Sequence, residues 1–536
     1  MEMTHLQNNK GFTWHSKGGI SVKGFLFDNQ DNFFPGKEMI EYFSSIDSFS
    51  DFEERVNYAN GAFSVIIHFE EEIFVATDII RTFPLFYARH QGKWILSDDA
   101  GYLSELTGNH EINPLAKVEF LAAGYVTGNE TLLQGIRQVQ AGEIIRFKED
   151  DLNNRFYYSY RTHKAREDEY EDLKSEGLKT IQEAFARFIV SLDNKTVVLP
   201  LSGGYDSRLI AAKLKHFGYK DVVCFTYGRK SSPEIEISEK VAKQLGYKWI
   251  FVEYTEELIE GYLEDEHFRQ YYPYASQYVS MFYMQEYFAV RYLKENKLIP
   301  DDSVFVPGHS GDFLAGSQLN KHSNLRMEES LSQIAERIYS IKYCFNKPNP
   351  DNKPKILDRI EKSLQEKFIK DSDLAYTIHE DWDFKEKLAK FNFNSATTYA
   401  AFGYEYRFPF WDRYLVDFFK RLPLHAKINK YLYDDILCND IFENLGLNFD
   451  EELTLTDNAL RFFKIKKQIK QILPEAINRI FITKDDPLFY REITEMMQAD
   501  AEKEGEKISI HGNSYNSVIL QWYIWRMNTK DEHLNK

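Results

Sequence analysis

Apolar residues in the first 155 positions fall in short, closely spaced runs rich in β-branched and aromatic side chains. Residues 61–69 and 73–77 are two such runs, parted by the acidic turn Glu70, Glu71 and Glu72. Residues 85–88 and 94–96 are two more, parted by His90, Gln91 and Gly92. Runs of this length between polar turns predict a meander of β-hairpins that builds a packed antiparallel sheet. The pattern changes over residues 150–164, where polar residues give way to Tyr157, Tyr158, Ser159 and Tyr160 and then to charges. From Glu167 to about Val190 the apolar positions Leu173, Leu178, Ile181, Ala184, Phe185 and Phe188 follow a helical period.

Strand-like and helix-like segments then alternate. Strands are predicted over 197–201, 222–227 and 249–252, and helices over 209–217 and 233–245. Such alternation implies a parallel sheet with its ligand at the carboxyl ends of the strands. A long helix-like segment over 274–292 precedes Val304, Phe305 and Val306, and the remainder to about Met527 reads as mostly helical. There is no internal repeat and no low-complexity tract. A chain of 536 residues is too long for one core. The expected class is therefore α/β, with a β-rich domain over 1–155 and an α/β domain with a helical C-terminal part over 165–536.

The segment between the first predicted strand and its helix is Ser202, Gly203, Gly204, Tyr205, Asp206 and Ser207. Paired glycines let the backbone turn sharply and approach a ligand closely. The N–H groups that follow form an anion nest at the positive end of a helix. Ser202 and Ser207 add hydroxyl donors, and the Asp206 carboxylate suits a magnesium ion. The result is a pyrophosphate cradle. It lacks the spaced Gly-Lys-Ser/Thr ending of the Walker A loop. Ser-Gly-Gly-x-Asp-Ser resembles the PP-loop of the ATP pyrophosphatases, which cleave ATP between the α and β phosphates to adenylate an acceptor.

Bulk properties narrow the picture further. A net charge of −17 disfavours a polyanion-binding surface, so no nucleic-acid partner is expected. Cys224, Cys344 and Cys438 are too scattered for a disulfide framework or a zinc site and suit a reducing compartment. The first ten residues have no apolar signal-peptide core, and no stretch reaches membrane-spanning length. A cytoplasmic location is expected.

Four ordered segments extend the resemblance beyond the PP-loop. Phe225, Thr226, Tyr227 and Gly228, then Ser232, Pro233 and Glu234, look like the adenine-side strand and following helix of asparagine synthetases. The stretch from Gly308 and His309 through Asp312 to Gly316 is similar to that family's Gly-rich acidic loop. Glu405, Arg407, Pro409, Phe410 and Asp412 match its Glu-x-Arg-x-Pro-Phe-x-Asp segment. In the first domain Gly61, Ala62, Phe63, Asp78, Pro84 to Tyr87, Ser97 and Asp98 resemble the class II glutamine amidotransferase half. The chain thus resembles the asparagine synthetase-like superfamily, which includes asparagine synthetase, β-lactam synthetase and homologues of lasso-peptide and surface-polysaccharide pathways.

The resemblance implies an Ntn-hydrolase-like sandwich followed by a PP-loop domain that uses ATP and Mg2+. It assigns Ser202, Gly203, Gly204, Asp206, Ser207, Gly228 and Gly308 to the nucleotide, and Asp206 and Asp312 to the metal. The chain also departs from the family. Glutamine-hydrolysing members use an N-terminal cysteine, whereas position 2 here is Glu2 and no cysteine precedes Cys224. The family's glutamine-gripping arginine and Asn-Gly-Glu segment have no clear counterpart. The first domain is thus expected to keep the glutaminase fold without the chemistry, the other reading being a truncated or misassigned start. His309 stands where asparagine synthetases have glutamate and β-lactam synthetase has tyrosine, and Phe313 occupies another acidic family position.

The expected reaction is adenylation of a carboxylate, with release of pyrophosphate, followed by attack of an amine or ammonia. His309, whose ordinary pKa lies near working pH, is a candidate base for the amine. Glu405 is a second candidate in the acceptor pocket, with an ion-pair network to Arg407 and Asp412 as its other role. Arg208 and Tyr205 are expected to serve the helix and its packing. The resemblance implies an oxyanion-stabilising lysine; Lys464, Lys466, Lys467 and Lys484 lie in the plausible region, and no motif selects among them. The acceptor would be a small molecule or a glycan- or peptide-linked carboxylate, with a separate ammonia-supplying glutaminase as a possible partner. A genuine asparagine synthetase using ammonia or glutamine, and a nucleotide-binding scaffold without turnover, are the other readings. Tyr271, Tyr272, Pro273 and Tyr274 are read as aromatic core.

Overall fold

A computed structural model of the chain describes residues 4–149, 151–162, 166–319, 330–365, 374–449, 486–511 and 514–534. The hairpin runs form two stacked sheets. The larger follows the order Asp151–Phe156, Glu143–Lys148, Glu72–Thr77, Asn60–Phe69, Ile20–Phe27 and His15–Lys17, with Phe33–Pro35 also paired to Ile20–Phe27. All its pairings are antiparallel. The smaller runs Thr4–His5, Lys93–Ser97, Phe86–His90 and Ile136–Gln138, antiparallel except for its first pair.

Alternation along Asn60–Phe69 explains the layers. Ile66 points with Val75, Leu85, Tyr87 and Leu96 into the core between the sheets. Phe63, Val65 and Ile67 point the other way, onto helices Met39–Phe43 and Phe49–Tyr58. Helix Ala100–Thr107 covers the outer face of the smaller sheet. The order helix, sheet, sheet, helix is the Ntn-hydrolase-like sandwich.

The second sheet system is wholly parallel, in the order Lys248–Glu253, Val222–Gly228, Val197–Pro200, Val304–Phe305 and Glu405–Tyr406. Val197, Val198 and Leu199 at its centre are fully buried. Helix Tyr170–Ser191 packs Leu173, Ile181, Ala184 and Phe185 onto this core. Helix Pro233–Leu245 has the bounds expected, and Tyr205–His216 begins four residues before its apolar run. The C-terminal part is mostly helical and includes π-helical turns at Phe384–Asn392 and Ile436–Phe442. No helix among the described residues is long and apolar enough to cross a membrane.

One expectation fails. The segment read as a single helix over 274–292 is two helices, Glu266–Ser276 and Tyr287–Glu295, parted by non-helical chain. Gln277 and Tyr278 adopt left-handed φ values of 46° and 58°. Contacts with the first domain outweigh the local period: the Ala100 N–H donates to Gln277 Oε1 (2.8 Å), Leu132 N–H to the Tyr278 carbonyl (2.7 Å) and Val126 N–H to the Val279 carbonyl (2.9 Å). Tyr271 and Tyr272 are buried in the aromatic core, as expected.

Candidate active site

The central strand Val197–Pro200 delivers Leu201 and Ser202 to the carboxyl end of the sheet, where the chain turns into helix Tyr205–His216. The turn is tied internally. Ser202 N–H donates to Ser207 Oγ (3.1 Å), the two serine hydroxyls lie 3.0 Å apart, and Gly204 N–H donates to Ser202 Oγ (3.2 Å). Gly204 is the N-cap, and no side chain caps the helix. The first-turn N–H groups therefore keep their donor capacity for an anion. Arg208 braces the turn from behind. It is fully buried and donates to the carbonyls of Gly203 (2.9 Å) and Leu447 (3.0 Å).

A second loop, Pro307 to Asp312, follows strand Val304–Phe305 and presses against the first. A Cβ on Gly308 would lie 2.7 Å from the Ser207 amide nitrogen. One on Gly311 would lie 2.8 Å from the Asp206 carboxylate and 2.7 Å from the Tyr433 hydroxyl. Only glycine permits so close an approach at these two positions. The Asp312 N–H donates to Asp206 Oδ2 (2.9 Å) and the Tyr433 hydroxyl to Oδ1 (2.8 Å). Burial and the neighbouring Asp312 carboxylate raise the Asp206 pKa to about 7. A buried carboxylate whose ionisation a neighbouring carboxylate opposes fits a cation beside it. Among the described residues no group of three or more His, Cys, Asp or Glu is arranged to hold a metal unaided. Mg2+ held together with phosphates needs only one or two carboxylates, so the pair fits that ion.

The loops open on a cavity of about 460 Å³. Its far wall comes from Thr226, Tyr227, Tyr283, Gln285, Glu286 and His309, and Lys430 and Leu488 complete its rim. Glu286 is buried and accepts hydrogen bonds from the hydroxyls of Tyr227 (3.1 Å) and Tyr399. Gln285 joins the network, accepting from the Tyr283 hydroxyl (2.8 Å) and donating to that of Tyr227 (3.0 Å). Burial pushes Glu286 up to about 7. His309 Nε2 lies 2.7 Å from Ser395 Oγ, and burial pulls its pKa down to about 4 against the opposing charge of Asp312.

Residues 179–436 match the asparagine synthase family, and residues 51–158 match the glutamine amidotransferase domain family. The chain belongs to the asparagine synthetase-like superfamily. This superfamily comprises ATP-using amidotransferases and ligases. A 7-cyano-7-deazaguanine synthase of Staphylococcus saprophyticus is 40% identical over 60 residues, which are 11% of this chain and 26% of that protein. The chain thus spans about a quarter of the length of that curated relative. Among solved structures, the NH3-dependent NAD synthetase from Campylobacter jejuni aligns over 38% of this chain and 99% of its own, at 14% identity and a TM-score of 0.19. The glutamine phosphoribosylpyrophosphate amidotransferase from B. subtilis aligns over 55% and 63%, at 10% identity and a TM-score of 0.18.

Seven of the expected site residues line the cavity: Ser202, Gly204, Asp206, Ser207, Gly308, His309 and Asp312. Gly203 and Gly228 lie beside it. A Cβ on Gly203 would approach Ile237 and Glu234. Gly228, at φ +121°, passes beneath Pro487, whose carbonyl oxygen would be 2.4 Å from an added Cβ.

Glu405 does not belong to the site. Its strand pairs Glu405 with Val304, which itself pairs with Val197 at the start of the central strand, at the end of the sheet remote from the loops. Its carboxylate accepts from Lys195 (2.7 Å) and Arg407 (2.8 Å), which hold it below the usual carboxylate range. Asp412 pairs with Arg187 instead (2.6 Å). His309 stands in the cavity, but burial removes the near-neutral pKa that suggested a base. Phe313 packs against Tyr160 and Phe384 in the core, so its divergence says nothing about the acceptor. Lys464, Lys466, Lys467 and Lys484 lie outside the described residues. Sequence reasoning missed Tyr283, Gln285, Glu286 and Lys430. The signal for the first three was a polar Gln-Glu pair interrupting an aromatic run, hidden by the apparent helical period.

Proposed function

We propose that this protein is an ATP-dependent carbon–nitrogen ligase that adenylates a carboxylate, releases pyrophosphate, and joins the activated acyl group to an amine or ammonia with loss of AMP. The observation that carries this reading is the meeting of the Ser202–Ser207 turn with the Asp206 and Asp312 carboxylates at one cavity. Hydroxide is a poor leaving group, and adenylation replaces it with AMP. As an acceptor oxygen attacks the α-phosphorus, charge gathers on the departing pyrophosphate. The uncapped N–H groups of helix Tyr205–His216 and the hydroxyls of Ser202 and Ser207 are preorganised to receive that charge. Asp206 and Asp312 would hold Mg2+, which when bound neutralises phosphate charge.

The amine must lose a proton as it attacks the acyl-adenylate. Glu286, raised to about 7 and lining the same cavity, suits that role better than His309 at about 4, because a base works best near the operating pH. His309, hydrogen-bonded to Ser395, is then a neutral positioning group.

No cysteine lies between Met1 and Cys224, and Cys224 itself is buried in the parallel sheet, which supports a nitrogen source other than a cysteine glutaminase among the described residues of the first domain. Free ammonia, ammonia from a separate glutaminase, or an amine of the acceptor fills the role. The test is pyrophosphate release across a panel of carboxylates, including aspartate and a cell extract, with ammonium and glutamine supplied in parallel. Turnover with ammonium or an intrinsic amine, but not with glutamine, is expected. Glutamine-supported turnover by the purified chain would overturn the assignment of the nitrogen source.

A further inference from the structure

A second cavity, of about 40 Å³, lies between the β-sandwich and the synthetase part. A water needs roughly 10–15 Å³, so this one has room for a small ion. Its charged lining is Lys10, Lys23 and Arg81 against a single carboxylate, Asp98. That carboxylate is already committed. It accepts from the backbone N–H groups of Gln7 (2.9 Å) and Asn8 (3.0 Å) and from Trp14 Nε1 (2.7 Å).

Opposing charge reaches each cation, from Asp98 at Lys23, Asp99 at Lys10, and Glu386 and Asp78 at Arg81, but the hydrogen bonding of Arg81 is incomplete. Arg81 is only 5% exposed; its Nε donates to the Val139 carbonyl (3.0 Å), but its Nη2 has no hydrogen-bond partner among the described residues. Lys23 is 3% exposed, lies over the rings of Trp14 and Phe83, and donates to the Asn8 carbonyl (2.7 Å). Lys10 lies 4.6 Å from the centre of the Tyr274 ring. A buried guanidinium N–H without an acceptor is unfavourable.

We infer that this interdomain cavity binds a small oxyanion, which accepts hydrogen bonds from Arg81 and Lys23. A planar carboxylate matches the guanidinium fork best. The inference stands apart from the adenylation reading, because the site shares no lining residue with the ATP-side cavity. The two are nevertheless close in the chain. Asn394 and Thr397 line the anion cavity, and Ser395 between them is bonded to His309 in the other.

The test is isothermal titration of the full chain with acetate and with inorganic phosphate, each at ionic strength matched with chloride. Saturable binding of acetate is expected, and Lys23→Met and Arg81→Gln should each weaken it about tenfold or more, as loss of a charge-assisted hydrogen bond does. If Arg81→Gln fails to fold, Lys23→Met and Lys10→Gln decide. Saturation by phosphate, with the same loss in the variants, would keep the oxyanion site and change the preferred geometry to tetrahedral. Binding of neither ion, or binding equally tight in Lys23→Met, would overturn the inference.

Discussion

Asp206 and Glu286 face one cavity with similar pKa values near 7, but for different reasons. Asp206 is raised by burial and by the like charge of Asp312, whereas Glu286 is raised by burial alone and is held by two tyrosine hydroxyls. For Asp206 the folded pKa lies above the unfolded one, so its ionisation opposes folding. That cost is absent below about pH 4, grows as the pH rises, and levels off above about 7. Without Mg2+, the stability of Asp206→Asn relative to wild type should therefore improve between pH 5 and pH 8. The shift should be about 1–3 kcal/mol after allowance for solvent screening, read from urea unfolding at the two pH values. Added Mg2+ should raise the stability of wild type only. Glu286 must be ionised to accept a proton, so turnover at saturating Mg2+ should rise through about pH 7. Glu286→Gln should lower that turnover about a hundredfold or more and abolish this limb of the pH profile.

At the scale of elements, legibility followed locality. The hairpins at 61–77 and 85–97 and the loop at 202–207 were readable because alternation, turn residues and paired glycines act within a few positions. The Asp206 and Asp312 pairing was accessible only through family resemblance, since 106 positions separate the two residues. Two failures at this scale were tertiary in origin. Glu405 sits on a two-residue strand whose register, set by Val304, carries it to the wrong end of the sheet. The apparent helix over 274–292 is broken where the first domain supplies N–H donors to Gln277, Tyr278 and Val279. That same break places Tyr283, Gln285 and Glu286 in the cavity wall. Gln277→Ala leaves the buried Ala100 N–H without its acceptor. It should cost about 1–3 kcal/mol in urea unfolding, and it should lower turnover more than binding of ATP.

For the whole molecule, the β-sandwich serves as part of the synthetase core. Phe12, Phe25, Phe83 and Phe120 of the first domain share one apolar cluster with Tyr271, Phe282, Tyr406 and Trp522 of the second. Asn60 and Arg187 both donate to Asp412, and Arg413 N–H donates to Asn60 Oδ1. Such an interface gives the first domain a structural role in holding the second. Residues 165–536 expressed alone should expose this aromatic surface and aggregate, which size-exclusion chromatography would reveal; a soluble, ATP-binding monomer would contradict that role.

The central claim is that the Asp206 and Asp312 cavity splits ATP between its α and β phosphates. The most direct test identifies the nucleotide products formed from ATP, Mg2+, ammonium and the small-molecule fraction of a cell extract by the wild type and by Asp206→Asn. The account expects AMP and pyrophosphate in equal amounts from the wild type and neither from the variant. ADP with orthophosphate, or AMP and pyrophosphate formed equally well by both proteins, would contradict it.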